Sequence, residues 1–514
     1  MKRGMRRGLQ RRMKRGRRAE ILLAIDQGTT GTKAFLLRDD LRVLGEATRE
    51  FPQHFPKPGW VEHDLEKVHA SVAAAVKQVF RDTGVQPSRI AGVGITNQRE
   101  TTAVWDRSTG RPIHRAIVWQ DRRTADACAA LRRRGLESKF RRATGLVLDP
   151  YFSGTKLAWL LDHVAGARAK ARAGQLAFGT IDSFLAWRLT GGASHVTDTS
   201  NASRTLLLDL AKGEWSEELC DILRVPLRML PRVIPNDEVL GRTRGVGFLP
   251  DGIPVACPIG DQQSALFGQA CYSQGEAKCT YGTGAFLVLN TGDEIVPSRH
   301  GLIATAAWRL AGKTTFALEG STFIAGAIVQ WLRDGLGIIR SSSEIEALAQ
   351  SVDASDGVVL VPALTGLGAP HWDPHARGVL CGLTRGSTRA HVARAALEGI
   401  AFQIHDLLRA MEKDVGRRVR RLKVDGGASR NNLLLQFQSD LLGARISRPQ
   451  ITSTTALGAA LLAGHGLGIF TSLAQIRKAW AEERSFRPLT SRARMEPRLA
   501  EWRRAVQLAR SGGE

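Results

Sequence analysis

ILLAIDQGTTGTKAFLLR, residues 21–38, is two short apolar runs joined by a polar, glycine- and threonine-rich turn. Ile21–Ile25 reads as a buried strand, Asp26-Gln-Gly-Thr-Thr-Gly-Thr as the turn, and Lys33–Arg38 as the returning strand. A hairpin, not a strand–helix unit, therefore opens the folded part at Glu20. Outward from it, Leu41–Glu46 reads as a third strand, Asp64 as the cap of a helix to about Arg81, and Ile90–Thr96 as a strand. Strands and helices keep alternating as far as Gly260-Asp-Gln-Gln, the pattern of a layered α/β domain.

The same signature begins again near Cys279. Thr280-Tyr-Gly-Thr-Gly is a second Gly/Thr turn, Ala285–Asn290 a second returning strand, and Lys423–Val424 a strand entering Asp425-Gly-Gly-Ala. Two similar halves are expected, 20–268 and 269–514, each opening on such a hairpin. Their facing turns would border an interdomain cleft, where small-molecule sites commonly lie.

Length and composition agree. The 514 residues exceed one ordinary core, and no run of about 18 uncharged apolar residues is present to span a membrane. Six cysteines without C-x-x-C spacing, and twelve unclustered histidines, argue against a disulfide framework or zinc site and point to the cytoplasm. Net charge is +24, and residues 1–20 alone hold ten Lys/Arg against one acid. Residues 1–19 read as a disordered basic extension, with Met5 and Met13 as later starts. A phosphate- or membrane-binding arm and a transit peptide are the alternatives. The remaining excess is dispersed, without a basic stripe or aromatic interleaving, so no nucleic acid partner is required.

Several segments carry candidate chemistry. In the first turn, glycines let a backbone approach phosphate oxygens, Thr29 and Thr30 offer donors, Lys33 adds charge, and Asp26 could hold Mg²⁺. The turn does not satisfy the G-x-x-x-x-G-K-[ST] phosphate loop. Paired with Tyr281-Gly-Thr-Gly284, it could clamp a polyphosphate. In Asp425-Gly-Gly-Ala-Ser-Arg-Asn431, the glycines leave room for a base or phosphate, and Asn431 could bond an adenine edge. Arg99 and Glu100 set a donor fork beside an acceptor, suited to a polyhydroxylated substrate, although such neighbours commonly form a surface ion pair. Asp261 ends an apolar strand (Ile253–Ile259) and is a general-base candidate, or else the cap of a helix starting near Gln263. Tyr151 could add a phenol, or be an ordinary core aromatic.

Taken together, these segments resemble the FGGY carbohydrate kinase family, with its paired ribonuclease H-like (actin-like ATPase) domains. KPGWVEHD (57–64), GITNQRETTAVWD (94–106), AIVWQDRRTA (116–125), GLVLDPYFSGTK (145–156), GDQQSALFGQ (260–269) and YGTGAFLVLNTG (281–292) carry it. The later ALTGLGAPHWDPHARG (363–378) and VDGGASRNN (424–432) extend it. They match the glycerol-phosphorylating members better than the xylulose, ribulose or gluconate ones. The resemblance implies ATP- and Mg²⁺-dependent phosphorylation of glycerol to sn-glycerol 3-phosphate in glycerol catabolism; a kinase of another polyol or ketose is the alternative. It further implies a polyol site of Arg99, Glu100, Tyr151, Asp261 and Gln262, walled by Trp119 and Phe286, with Asp261 as base. For the nucleotide it implies Thr29, Thr30, Thr283, Gly326, Gln330, Gly427 and Asn431, with Asp26 near the metal. Members form dimers and tetramers, so a homo-oligomer is an open expectation.

Three positions depart from the family. Gly31 stands where many relatives carry Ser, and Lys33 where several carry Arg, although both remain part of the expected phosphate site. Gly252 precedes Ile253-Pro254 where regulated members place an arginine that binds fructose 1,6-bisphosphate, which puts that inhibition in question.

Overall fold

The computed structural model describes residues 20–511, so the basic segment 1–19 lies outside the described residues. Each Gly/Thr hairpin belongs to one mixed sheet. The strands used below are β1 (Ile21–Gln27), β2 (Gly31–Arg38), β3 (Val43–Glu50), β4 (Ile90–Asn97), β5 (Val239–Arg242) and β6 (Pro254–Gly260). They form the first sheet in the order β5-β6-β4-β1-β2-β3. β1 runs antiparallel to β2 and parallel to β4, which in turn runs parallel to β6.

The second sheet repeats this plan. Its strands are β7 (Ala277–Tyr281), β8 (Ala285–Gly292), β9 (Ile303–Leu310), β10 (Lys313–Thr322), β11 (Arg421–Asp425), β12 (Arg445–Pro449) and β13 (Glu482–Phe486). Their order is β9-β10-β8-β7-β11-β12-β13. β7 pairs antiparallel with β8 and parallel with β11, and β11 is parallel to β12. An antiparallel trio (β3-β2-β1, β10-β8-β7) followed by two parallel strands (β4-β6, β11-β12) is thus common to both halves, as the resemblance implies. The hairpin and strand expectations hold to within a few residues, and Asp64 caps α1 (Leu65–Thr83) through its side chain.

The first sheet is covered on both faces, which is why β1 and β2 are continuously apolar rather than alternating. Leu23, Ile25, Ala34 and Leu36 pack in the same core as Val72 and Val76 of α1. Leu22, Ala24, Phe35 and Leu37 pack in a second core with Leu457, Leu461 and Ala460. Burying each such leucine contributes about 1.5–3 kcal/mol. The helix that supplies the second layer, α7 (Thr454–Gly466), comes from far along the chain, after β12.

In the same layer, α3 (Asp261–Gly268) crosses α7 almost backbone to backbone. A β-carbon on Gly458 would lie 1.9 Å from the Ser264 carbonyl oxygen, and one on Gly268 2.1 Å from that of Thr454. Only glycine permits this approach, and α3 begins with Asp261, so the crossing sets where that carboxylate stands. Among the described residues, no helix is long and apolar enough to cross a membrane.

Gly458→Ala forces the two helices apart, and overpacking of this kind costs about 1–3 kcal/mol. Urea unfolding should show a loss of that size, with turnover reduced because Asp261 is displaced. Unchanged stability would mean that the crossing is not tight.

Candidate active site

The first turn is held from behind. Gln53 Nε2 donates to the Thr29 carbonyl (3.0 Å) and Gln98 Nε2 to that of Gly28 (3.0 Å). The Trp119 indole N–H donates to Thr29 Oγ1 (2.9 Å). That contact uses the Thr29 oxygen as acceptor and leaves its hydroxyl hydrogen free to donate. Thr30 is exposed. Gly31 has a structural reason: a β-carbon there would sit 2.9 Å from the Arg49 carbonyl on the paired strand. Lys33 is already engaged, by Ser453 Oγ at 2.7 Å and Glu46 at 3.3 Å.

The second turn exposes Gly282 and Thr283. The first residue of α4 (Gly326–Asp334), Gly326, donates its backbone N–H to the Gly282 carbonyl at 2.9 Å. A β-carbon on Gly326 would come within 2.6 Å of that oxygen, so glycine lets the helix start rest on the turn. Gln330 is exposed one turn further along. Asn431 caps α6 (Asn432–Leu442), its Oδ1 accepting from Leu434 N at 2.8 Å, which leaves its amide NH₂ to meet a base edge. The space beside Gly427 is open, with no atom within 4 Å of a built β-carbon.

Arg99 and Glu100 are not a surface pair. They are 2 % and 1 % exposed, and Arg99 Nε stands 3.9 Å from Glu100. Thr101 N donates to the Arg99 carbonyl (2.7 Å) across Glu100, whose φ of 61° is strained for a non-glycine residue. This tight turn follows β4 and aims both side chains at one place. There Arg99 Nη1 and Nη2 donate to Glu319 at 2.5 and 3.0 Å. Arg204 donates from Nε to Glu100 (2.6 Å) and from Nη2 to Glu319 (2.9 Å). Two guanidinium groups and two carboxylates thus close a buried ring. The Arg204 guanidinium also lies over Tyr151 and Phe152, 5.5 and 5.4 Å from their ring centres. Trp119 meets Tyr151 edge-to-face at 5.6 Å and Phe286 at 6.3 Å, an aromatic wall drawn from both halves.

Asp261 adjoins this ring, its Oδ1 3.0 Å from Arg99 Nε, and its side chain keeps 27 % exposure. It is the first residue of α3, and Gly260 occupies the cap position, so the alternative of Asp261 as cap for a helix near Gln263 is corrected. Burial pushes its carboxyl above the ordinary range, against the opposing charges of Arg99 and Lys278. Gln262 is pinned through Oε1 by the ammonium of buried Lys278, which also donates to Thr280 Oγ1 at 2.8 Å. Burial lowers the Lys278 pKa.

Arg204, Glu319 and Lys278 were not singled out from the sequence. Glu319 and Lys278 interrupt apolar strands (FALEGST, AKCTY), and a charge inside a buried strand needs a partner, which was the available signal.

Burial also pushes Asp26 up to about 7, with Lys33 opposing and the Asp261 carboxylate adding to the rise. Two neighbouring carboxylates, both pushed up by burial, suit a divalent cation. Among the described residues no group of three or more His, Cys, Asp or Glu could hold a metal by itself, so a Mg²⁺ here needs phosphate oxygens or water as further ligands. A separate cavity of about 750 Å³, lined by Arg134, Trp159 and Arg224 among others, contains none of the expected site residues.

Comparison with known proteins bears on the family and the two-domain fold. Residues 21–268 match the model of the FGGY family of carbohydrate kinases, N-terminal domain, and residues 277–467 its C-terminal domain. The chain is 57% identical to the glycerol kinase of Myxococcus xanthus over 96% of its length and 100% of the relative's. It is 54% identical to that of Deinococcus radiodurans, covering 96% and 98% of the two chains. Among solved structures, Plasmodium falciparum glycerol kinase with ADP superposes with a TM-score of 0.88 at 34% identity, over 96% of this chain and 98% of that one.

Removing one cation from the ring strands a buried carboxylate, which costs about 3–5 kcal/mol. Arg204→Met should therefore lower unfolding stability by that amount in denaturant titration. A loss below about 1 kcal/mol, the scale of a surface pair, would show the ring to be loosely held.

Proposed function

The chain belongs to the FGGY family of carbohydrate kinases, and from that premise we infer that it transfers the γ-phosphoryl group of ATP to a terminal hydroxyl of glycerol. The observation that carries the chemistry is Asp261, a partly exposed carboxylate beside Arg99, adjoining an aromatic-walled pocket that both halves line. A three-carbon polyol packs its carbon chain on Trp119 and Phe286. Its hydroxyls meet Arg99, Glu100, Tyr151 and the free amide of Gln262.

Phosphoryl transfer passes through a loose transition state, so positioning and charge neutralisation carry most of the catalysis. The glycerol oxygen bonds to the γ-phosphorus, the bond from that phosphorus to the bridging oxygen breaks, and ADP leaves with the electron pair. Asp261 orients the attacking hydroxyl and accepts its proton. Thr29, Thr30 and Thr283 donate to phosphate oxygens, while Gly326, Gln330, Gly427 and Asn431 border the nucleotide. Asp26 holds Mg²⁺, which supplies neutralisation of phosphate charge when bound. Dehydrated closure of the two halves keeps water from the γ-phosphoryl group. The five cysteines whose side chains are described are all free thiols, which supports a reducing cytoplasm.

ADP release from Mg-ATP, measured with glycerol, xylulose, ribulose, erythritol and no acceptor, tests the reading directly. Glycerol should dominate; preference for a ketose would discard the pocket assignment. Asp261→Asn should reduce turnover by about 100-fold or more while ATP still binds. Turnover close to that of the wild type would remove the residue from the base role.

The Asp26 carboxylate predominates above its pKa and is lost as pH falls through about 7. Mg²⁺-dependent nucleotide affinity should weaken below that pH, and Asp26→Asn should flatten the response. A flat profile in the wild type would argue against Asp26 as the metal-binding group.

A further inference from the structure

Glu319 belongs to β10 of the second sheet, yet it is fully buried against residues of the first half. It occupies both outer nitrogens of Arg99 at 2.5 and 3.0 Å and accepts a third hydrogen bond from Arg204 at 2.9 Å. The planar fork of a guanidinium is the side-chain feature best matched to a carboxylate. In this pocket that fork is already filled, and the remaining Arg99 edge faces Asp261 at 3.0 Å. Burial pushes the Glu319 carboxyl up, but Arg204 and Arg99 outweigh it and hold it at about 2, so it stays ionised. Glu100, Glu319 and Asp261 surround the two guanidinium groups, and the nearby Lys278 ammonium is taken up by Gln262 and Thr280. An acceptor carrying its own negative charge meets an Arg99 fork that is already filled, the unbonded Arg204 Nη1 is buried, and the extra charge adds a repulsive neighbour.

We propose that Glu319 is a specificity-determining positioning residue: by filling the Arg99 fork it restricts the acceptor pocket to neutral polyols and rejects three-carbon sugar acids. This rests on the glycerol-pocket reading above. Glu319 acts through Arg99, and its role is to turn a potential carboxylate receptor into a hydroxyl receptor. Because Glu319 and Arg99 come from different halves, selectivity also depends on the halves being docked.

The test uses D-glycerate and glyceramide, matched in shape and differing in charge, as competitors of glycerol. The wild-type enzyme should be inhibited by glyceramide, and by glycerate about tenfold more weakly or less. Glu319→Gln opens a cationic fork, so glycerate inhibition should strengthen by about tenfold or more, while kcat/KM for glycerol falls mainly through KM. Glu319→Asp keeps the charge and should stay closed to glycerate. The proposal is overturned if wild type takes glycerate and glyceramide equally. It is also overturned if folded Glu319→Gln, shown by an unchanged ATP affinity, remains insensitive to glycerate. Should Glu319→Gln fail to fold, the wild-type comparison decides alone. Glycerol turnover by the wild type in the same series tests the underlying reading separately: its absence removes the pocket assignment, whereas a selectivity failure with turnover intact removes only the role of Glu319.

Discussion

Four buried charges where the two halves meet constrain everything else in this molecule. Taking an ion out of water costs several kcal/mol even after relaxation, so Arg99, Glu100, Arg204 and Glu319 are tolerable only as a closed set with good geometry. The distances of 2.5–3.0 Å among the paired atoms meet that requirement. Their backbones must then be held to within fractions of an ångström. The strained Glu100 turn, the strand carrying Glu319 and the aromatic wall over Arg204 supply that rigidity. In the proposed acceptor pocket, the groups assigned to the polyol are the ones already fixed by these buried partners.

A second constraint acts on the phosphate side. Neither turn offers a free lysine: Lys33 is taken by Ser453 and Glu46, and Lys278 lies buried against Gln262 and Thr280. What remains is threonine hydroxyls, backbone and a carboxylate suited to a cation. In the proposed phosphate site, precision therefore lies in the backbone rather than in long side chains. The glutamine braces behind the first turn and the start of α4 behind the second serve that end. Trp119 joins the two proposed subsites, since one ring both meets Tyr151 and Phe286 and bonds Thr29 of the first turn.

Much of the frame was legible beforehand. The 21–38 hairpin, its echo at 280–290 and the Asp64 cap are local features, dictated by the apolar period, by turn chemistry and by a side chain reaching its own helix. The candidate residues were legible as types: a carboxylate ending a strand, threonines in a glycine turn, an adjacent Arg–Glu. Their circumstances were not. Whether Arg99–Glu100 is an exposed pair or half of a buried ring depends on Arg204 and Glu319, 104 and 220 residues away along the chain. That Gly458 belongs beneath the first sheet, fixing where Asp261 stands, depends on a helix crossing that no local pattern announces. Sequence by itself determined the elements, because hydrogen bonding and apolar period act over a few residues. Only the tertiary structure decided which charges are buried together, because desolvation and Coulomb energy depend on distance in space and not along the chain.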